Sequence, residues 1–249
     1  MSYRLKLSQP IDSSLRRIVT ERLSKAIDAI DAQGEQAAHD VRKQLKKARA
    51  ALRLLRDAQP KLYDRENAAL RDAARMISAL RDTEAMVETF DALTDHFNDQ
   101  IDRRHYTPIG QTLRERLEAD ERQAAEQDHA AQVRDELDAA RTRIAGWPEL
   151  SDGFDMIGQG VSRSYKRGRK QLDHLLDDSD PSPETVHTLR KRAKYHRYHT
   201  RLLQDMWKPA LKARRKELHR LTDQLGMHRD LHVLDEALSD EPEAFGQVE

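Results

Sequence analysis

His39, Arg42, Lys43 and Lys46 stand at positions i, i+3, i+4 and i+7 of the segment HDVRKQLKKARAALRLLRD, residues 39–57. An α-helix turns about 100° per residue, so these four side chains share one stripe, and Arg53 stays near it. Between Asp40 and Asp57 the segment holds seven cations (Arg42, Lys43, Lys46, Lys47, Arg49, Arg53 and Arg56) and no acid. Lysine supplies a point charge, arginine a planar fork that matches phosphate, and histidine a donor that titrates near neutrality. On one stripe they offer the chemistry of a polyanion site. Lys47 and Arg56 fall outside the central stripe. Val41, Leu45, Ala48, Leu52 and Leu55 lie opposite and form the expected core face.

The pattern returns 148 residues later. His187, Arg190, Lys191 and Lys194 repeat the spacing, Arg197 matches Arg49, and Arg201 matches Arg53. In this register 12 of the 44 positions from 39 to 82 are identical, including Asp57 with Asp205 and Arg81-Asp82 with Arg229-Asp230. Most identities are charged, so the repeat concerns surface chemistry as well as packing. It implies two homologous helical halves, residues 10–106 and 151–240, each roughly a four-helix bundle, joined by a helical connector at 107–150. Leu189, Ala193 and Leu203 form the apolar side of the second copy. The preceding helix carries Arg163, Lys166, Arg167 and Lys170 at the same spacing, opposite Ile157, Val161, Leu172 and Leu175. The first-half counterpart mixes Arg17, Arg22 and Lys25 with Glu21 and Asp28. Arg215 and His219 on a later helix complete the candidate phosphate contacts. Stripes from two halves facing one another would make a basic groove or pore.

The ordinary reading of a charge run is a solvated face. Such faces usually mix signs, because like charges at i, i+4 cost roughly 0.2–0.5 kcal/mol each. Neutralisation by acids elsewhere is the second ordinary reading. Its candidates are Glu115, Glu118, Asp120, Glu121, Glu126 and Asp128 of the connector, and Asp177-Asp178-Ser179-Asp180. His228/His232 and His196/His199 have possible metal spacings, but no acid completes a zinc pattern, and Arg197 and Arg229 would repel a cation. Tyr195, Tyr198 and Trp207 could stack on bases, though helical aromatics more often pack in cores. The chain has no P-loop, Gly-rich dinucleotide turn or HExxH motif, and no acid is paired by spacing with a nucleophile. No catalytic group, metal or cofactor is nominated.

The elements that must position these side chains are helices. Charged residues make up 35% of the 249 and aromatics 5%, with only nine Gly and eight Pro, a balance that favours an all-α fold. The 44 basic and 44 acidic side chains cancel, which argues against a protein that coats nucleic acid with its whole surface. Absence of cysteine excludes disulfide and thiolate chemistry and fits a reducing cytoplasm. No apolar run approaches the roughly 18 residues of a membrane span, and MSYRLKLSQPIDSSLRR lacks a signal-peptide core, so a soluble cytoplasmic protein is expected. Punctuation predicts helices from Asp12 to about Gly34, 35–58, 61–80, and Asp82 toward Tyr106. Pro108-Ile109-Gly110 is expected to break the chain before a helical 111–145. Further helices are expected from near Ser151 to Leu176, at 184–205, at 209–225, and at 228–238 after a break at Gly226, with a frayed tail. Tyr3–Leu7 alone alternates like a strand.

Two copies of His-x-x-Arg-Lys-x-x-Lys, at 39–46 and 187–194, resemble the signature of the CHAD domain, the conserved histidine α-helical domain. Leu225-Gly-Met-His-Arg-Asp230 is similar to that family's Leu-Gly-x-x-Arg-Asp segment, with Ile77-Ser-Ala-Leu-Arg-Asp82 as its first-half counterpart. The resemblance spans roughly residues 10–240 and treats 1–249 as a single stand-alone CHAD domain. It implies two four-helix bundles related by pseudo-twofold symmetry around a basic central channel. It also implies binding of inorganic polyphosphate and association with polyphosphate granules. The implied contacts are the two His/Arg/Lys/Lys sets, and the stripe Arg163, Lys166, Arg167, Lys170 fits the same role. Many family members carry a triphosphatase domain marked by Glu-x-Glu-x-Lys. Residues 3–9 do not supply that motif, so a non-enzymatic binder is expected. RNA or single-stranded DNA is the alternative partner, and a metal-dependent polyphosphate-processing enzyme a further one.

Overall fold

A computed structural model describes residues 3–34, 36–150 and 153–245, apart from the side chain of Ala79. These residues form nine α-helices and two 3-10 turns, with no strand among them. The first six helices are α1 (Ile11–Asp31), α2 (Ala37–Leu52), α3 (Pro60–Met76), α4 (Ser78–His96), α5 (Arg103–Glu126) and α6 (His129–Ala145). After these come α7 (Asp155–Asp177), α8 (Pro183–Leu202) and α9 (Lys208–Asp240). A 3-10 turn at Arg53–Leu55 extends α2, and another at Pro242–Phe245 follows α9. No helix among the described residues is long and apolar enough to cross a membrane.

Local chemistry accounts for the helix starts. Pro60, Pro183 and Pro209 occupy first-turn positions, where a missing N–H costs nothing. The Asp102 carboxylate accepts from the Arg104 N–H at 2.9 Å, and Ser182 Oγ from the Thr185 N–H at 3.3 Å. Packing then selects faces. Val41, Leu45, Ala48, Leu52 and Leu55 are buried, as are Leu189, Ala193 and Leu203. Helices α1 and α2 pack together, and α6 lies across α1 and α3. Val133, Leu137, Ala140 and Ile144 of α6 are buried in the main core, so this part of the connector is a structural wall. Helix α8 packs on α7, α9 and α2, while α4 packs on α5 and α9.

Several expected boundaries are corrected by packing. Pro108 and Gly110 lie inside α5, because Ile109, Leu113 and Tyr106 hold the helix against Phe90 of α4. Pro108 is near the N-terminal end, where its lost hydrogen bond matters least. Gly226 does not break α9 but lies buried within it. In the 148-residue register α9 spans the positions of both α3 and α4, which separate at Ile77 (φ −104°, ψ 12°). The end of the chain is anchored through residue 245: Phe245 is buried with Phe90, Leu113 and Leu234, under the Arg116 guanidinium. The alternation at Tyr3–Leu7 reflects burial of Tyr3 and Leu5, with the Leu5 N–H donating to the Leu202 carbonyl at 2.9 Å. Glu35, Ser151 and the last four residues, which touch three of the expected boundaries, lie outside the described residues.

Candidate polyanion site

Helices α2, α4, α8 and α9 enclose a cavity of about 510 Å³. From α2 it receives His39, Arg42, Lys43, Lys46 and Arg49, and from α8 His187, Arg190, Lys191, Lys194 and Arg197. The two stripes recognised in the sequence therefore meet. Arg81-Asp82 of α4 and Arg229-Asp230 of α9 complete the wall, with Tyr195 and Tyr198. Ten Lys and Arg side chains line the space against two aspartates. The Arg-Asp pairs were visible as repeat identities, but periodicity on α2 and α8 alone could not join them to the site. Lys47 and Arg56 do not line it.

The positioning of the two central arginines follows from the helix break and the buried glycine. Arg42 Nη1 donates to the Ser78 carbonyl at 3.0 Å, at the start of α4, and lies 3.5 Å from Asp82. Its counterpart Arg190 lies against Gly226, where an added Cβ would come within 3.1 Å of Nη2. Glycine inside α9 is therefore explained by a close side-chain approach. Some cations are tied at the rim: Lys43 to Asp40 at 2.9 Å, Lys191 to Glu184 at 3.4 Å, and Arg81 to Glu88 at 2.9 Å. Arg49 donates to Asn67 at 3.1 Å and Arg197 to Thr222 at 2.9 Å. Lys46, Lys194, Arg190 and Arg229 make no ion pair among the described residues.

Crowding of like charge within dense walls shifts their titration. Burial first, then Arg42, Arg190 and Arg81, lower Lys46 to about 8, against a partial offset from Asp82. Burial, then Arg190, Lys46 and Arg197, lower Lys194 to about 7. Lys46 keeps an open surface toward the cavity, so solvent moderates its shift. His187 is lowered to about 4 by burial and then by Arg229 and Lys191. His39 shifts downward through burial, Arg81 and Lys43. Burial is also the main cause lowering Arg42 and Arg190, although a guanidinium stays charged. An anion entering this space would relieve repulsion between groups the fold holds together.

Other predicted contacts lie elsewhere. Arg163, Lys166 and Arg167 line a separate open recess of about 850 Å³ with Asp57, Phe154 and Gly158, and Lys170 is exposed farther along α7. That recess is larger than the cavity, but charge density, not size, singles out the cavity. Arg53 donates to Tyr63 Oη and Tyr195 Oη, both at 3.0 Å, outside the cavity. Arg201 is engaged with Gln204 at 3.0 Å, and Arg215 is half-buried away from the cavity lining. His219 is exposed and paired with Asp223. Three of the four histidines with metal-like spacing have other partners, and His228 is exposed. His199 is buried with Nε2 2.8 Å from the Ala50 carbonyl, His196 Nε2 accepts from Arg214, and His232 faces Glu236. No group of three potential metal ligands converges among the described residues. Among the connector acids Asp120 accepts from Thr83 of α4 and Glu115 from Gln111 of its own helix, and none lines the cavity.

A profile of the CHAD domain matches residues 17–239. The fold is similar to the crystal structure of the CHAD domain from the plant Ricinus communis. The TM-score is 0.72 at 19% identity, over 98% of this chain and 84% of that one. No curated protein sequence matches. With the duplicated motif, the helical architecture and a profile match over most of its length, this chain belongs to the CHAD domain family.

Proposed function

We propose that the protein binds inorganic polyphosphate in the cavity between α2, α4, α8 and α9, without catalysing its turnover. The observation that carries this reading is the excess of ten Lys and Arg over two Asp in one space. Unpaired Lys46, Lys194, Arg190 and Arg229 supply charge, and Arg42 supplies a fork oriented from α2. In this reading the halves are two helical bundles related by pseudo-twofold symmetry, and the cavity is a channel on that axis. Its role is to target or organise polyphosphate granules in the cytoplasm. Base stacking is poorly served: the Tyr195 ring is already covered by Arg53 at 4.0 Å, and Tyr198 packs edge-on against Tyr3. An enzyme would need a divalent ion and carboxylates facing the phosphates, and two aspartates are the only acids in the lining.

A salt-dependent titration with polyphosphate, competed with RNA, tests the reading. Affinity should fall with salt by a log–log slope near −0.7 per contact, as for single-stranded polyanions. Lys46→Glu with Lys194→Glu should abolish binding while leaving helicity intact. Affinity indifferent to salt, or retained in the double variant, overturns the cavity site. Displacement by RNA at equal phosphate concentration selects nucleic acid, and phosphate release with Mg²⁺ selects an enzyme.

A further inference from the structure

Outside the cavity, the packing of α7 creates a second concentration of positive charge. Gly160 of α7 sits directly on the 3-10 turn after α2, where a Cβ would lie 2.5 Å from the Leu54 carbonyl oxygen. This close crossing gathers Arg53, Arg56, Arg163, Arg167 and Arg192 around one narrow gap beside Tyr195. Asp57 pairs with Arg163, and no other carboxylate joins the cluster. Arg53 is held by two tyrosine hydroxyls, and Arg56 lies over the Tyr63 ring at 5.3 Å. Arg167 and Arg192 have no hydrogen-bond or ion-pair partner among the described residues. Arg192 is half-buried, lowered first by burial and then by Arg167, Arg53 and Arg56. Like charges so gathered repel, and a surface serving only solubility would intersperse acids among them.

The gap adjoins two larger spaces through shared walls. Tyr195 lines both the gap and the central cavity. Arg163 and Arg167 line both the gap and the open recess on α7, which adds Lys166. Cavity and gap thus share Tyr195 as a wall, and gap and recess share Arg163 and Arg167, so basic side chains adjoin from α2/α8 around Tyr195 to the outer face of α7.

We propose that this arginine track is a second polyanion contact, used by a chain that is too long for the cavity and continues past Tyr195 onto α7. The proposal rests on the polyphosphate reading of the cavity and adds chain-length recognition to it. Contacts on one continuous polymer act multivalently, since the first engagement raises the local concentration for the next. Long chains should then bind more tightly per molecule than tripolyphosphate, and with a steeper salt slope.

The test compares tripolyphosphate with long-chain polyphosphate on the unmodified protein and on the variant Arg56→Gln, Arg167→Gln, Arg192→Gln. These arginines make no ion pair, and Arg53 and Arg163, which tie the elements together, are left in place. Long-chain affinity should fall about tenfold or more and its salt slope flatten by about 2, three contacts at about 0.7 each. Tripolyphosphate affinity should stay within about twofold by the same accounting. Long-chain affinity and slope left unchanged overturn the track, as does equal loss for both lengths, which would place the effect in the cavity. Tripolyphosphate binding to the unmodified protein reports on the cavity by itself. Were it absent, the long-chain loss in the variant would still decide the track. A matching Arg→Lys triple, which keeps charge but not fork geometry, should recover most of the long-chain affinity.

Discussion

Lys46 and Lys194 are the side chains on which solution conditions should act most directly. They face Arg42 on α2, Arg81 and Asp82 on α4, Arg190 and Arg197 on α8, and Asp230 on α9. Their folded values of about 8 and about 7 lie below the ordinary lysine value of 10.5. Between about pH 7 and 10.5 the unfolded chain therefore holds protons that the folded chain has released. The two lysines add stability as pH rises through that window and withdraw it as pH falls. A bound polyanion acts in the opposite sense by favouring the charged forms, so binding near pH 8 should take up protons. Calorimetry in two buffers of different ionisation enthalpy should show this uptake, and affinity should decline between about pH 7 and 9. Lys46→Arg with Lys194→Arg should flatten that decline, because guanidinium stays charged. Equal heats in both buffers would contradict the assignment.

At the scale of elements, two glycines separate fold from site. Gly160→Ala places a methyl against the backbone of Leu54, which cannot swing aside. It should cost about 1–3 kcal/mol or more, read as a lower denaturation midpoint. Gly226→Ala meets only the far end of Arg190. Helix propensity alone favours alanine inside α9 by about 0.8–1.0 kcal/mol, so thermal stability should hold or rise while polyphosphate affinity falls. A variant that binds as tightly as the unmodified protein would show that the Arg190 position does not matter. The break at Ile77 in one copy of the sequence repeat and the unbroken α9 in the other show how one register can serve two backbones. In the first copy of the repeat Arg42 donates to the Ser78 carbonyl in the first turn of α4; in the second Arg190 fills the space over a glycine.

Across the whole molecule, zero net charge is compatible with a strongly polar interior site because the charges are segregated. Arginines of α5 and α6 pair with acids of α1, α3 and α4, as in Arg134–Asp31, Arg143–Glu66 and Arg114–Asp91, and no acid of α5 or α6 lines the cation-rich cavity. Four helices distant in sequence share the cavity, so a ligand bound there should hold them together. At a hundredfold excess over Kd, polyphosphate should stabilise the fold by about 2.7 kcal/mol, or several degrees in Tm. Thermal unfolding with and without the polymer measures this, and no shift would mean that the ligand does not bind the assembled helices preferentially.

Periodicity and repetition made much of this legible before any coordinates. The helices, the buried faces of α2 and α8, and the paired His39 and His187 stripes follow from spacing alone, because a helix face is a local property. The joining of those stripes with Arg81-Asp82 and Arg229-Asp230 is not local. It depends on where α4 and α9 pack, as does the continuity of α9 through Gly226. Tertiary packing also turned the α7 stripe away from the cavity, since the crossing at Gly160 sets its direction. Residue order determined which cations share a face; only the packing of helices decided which faces share a space.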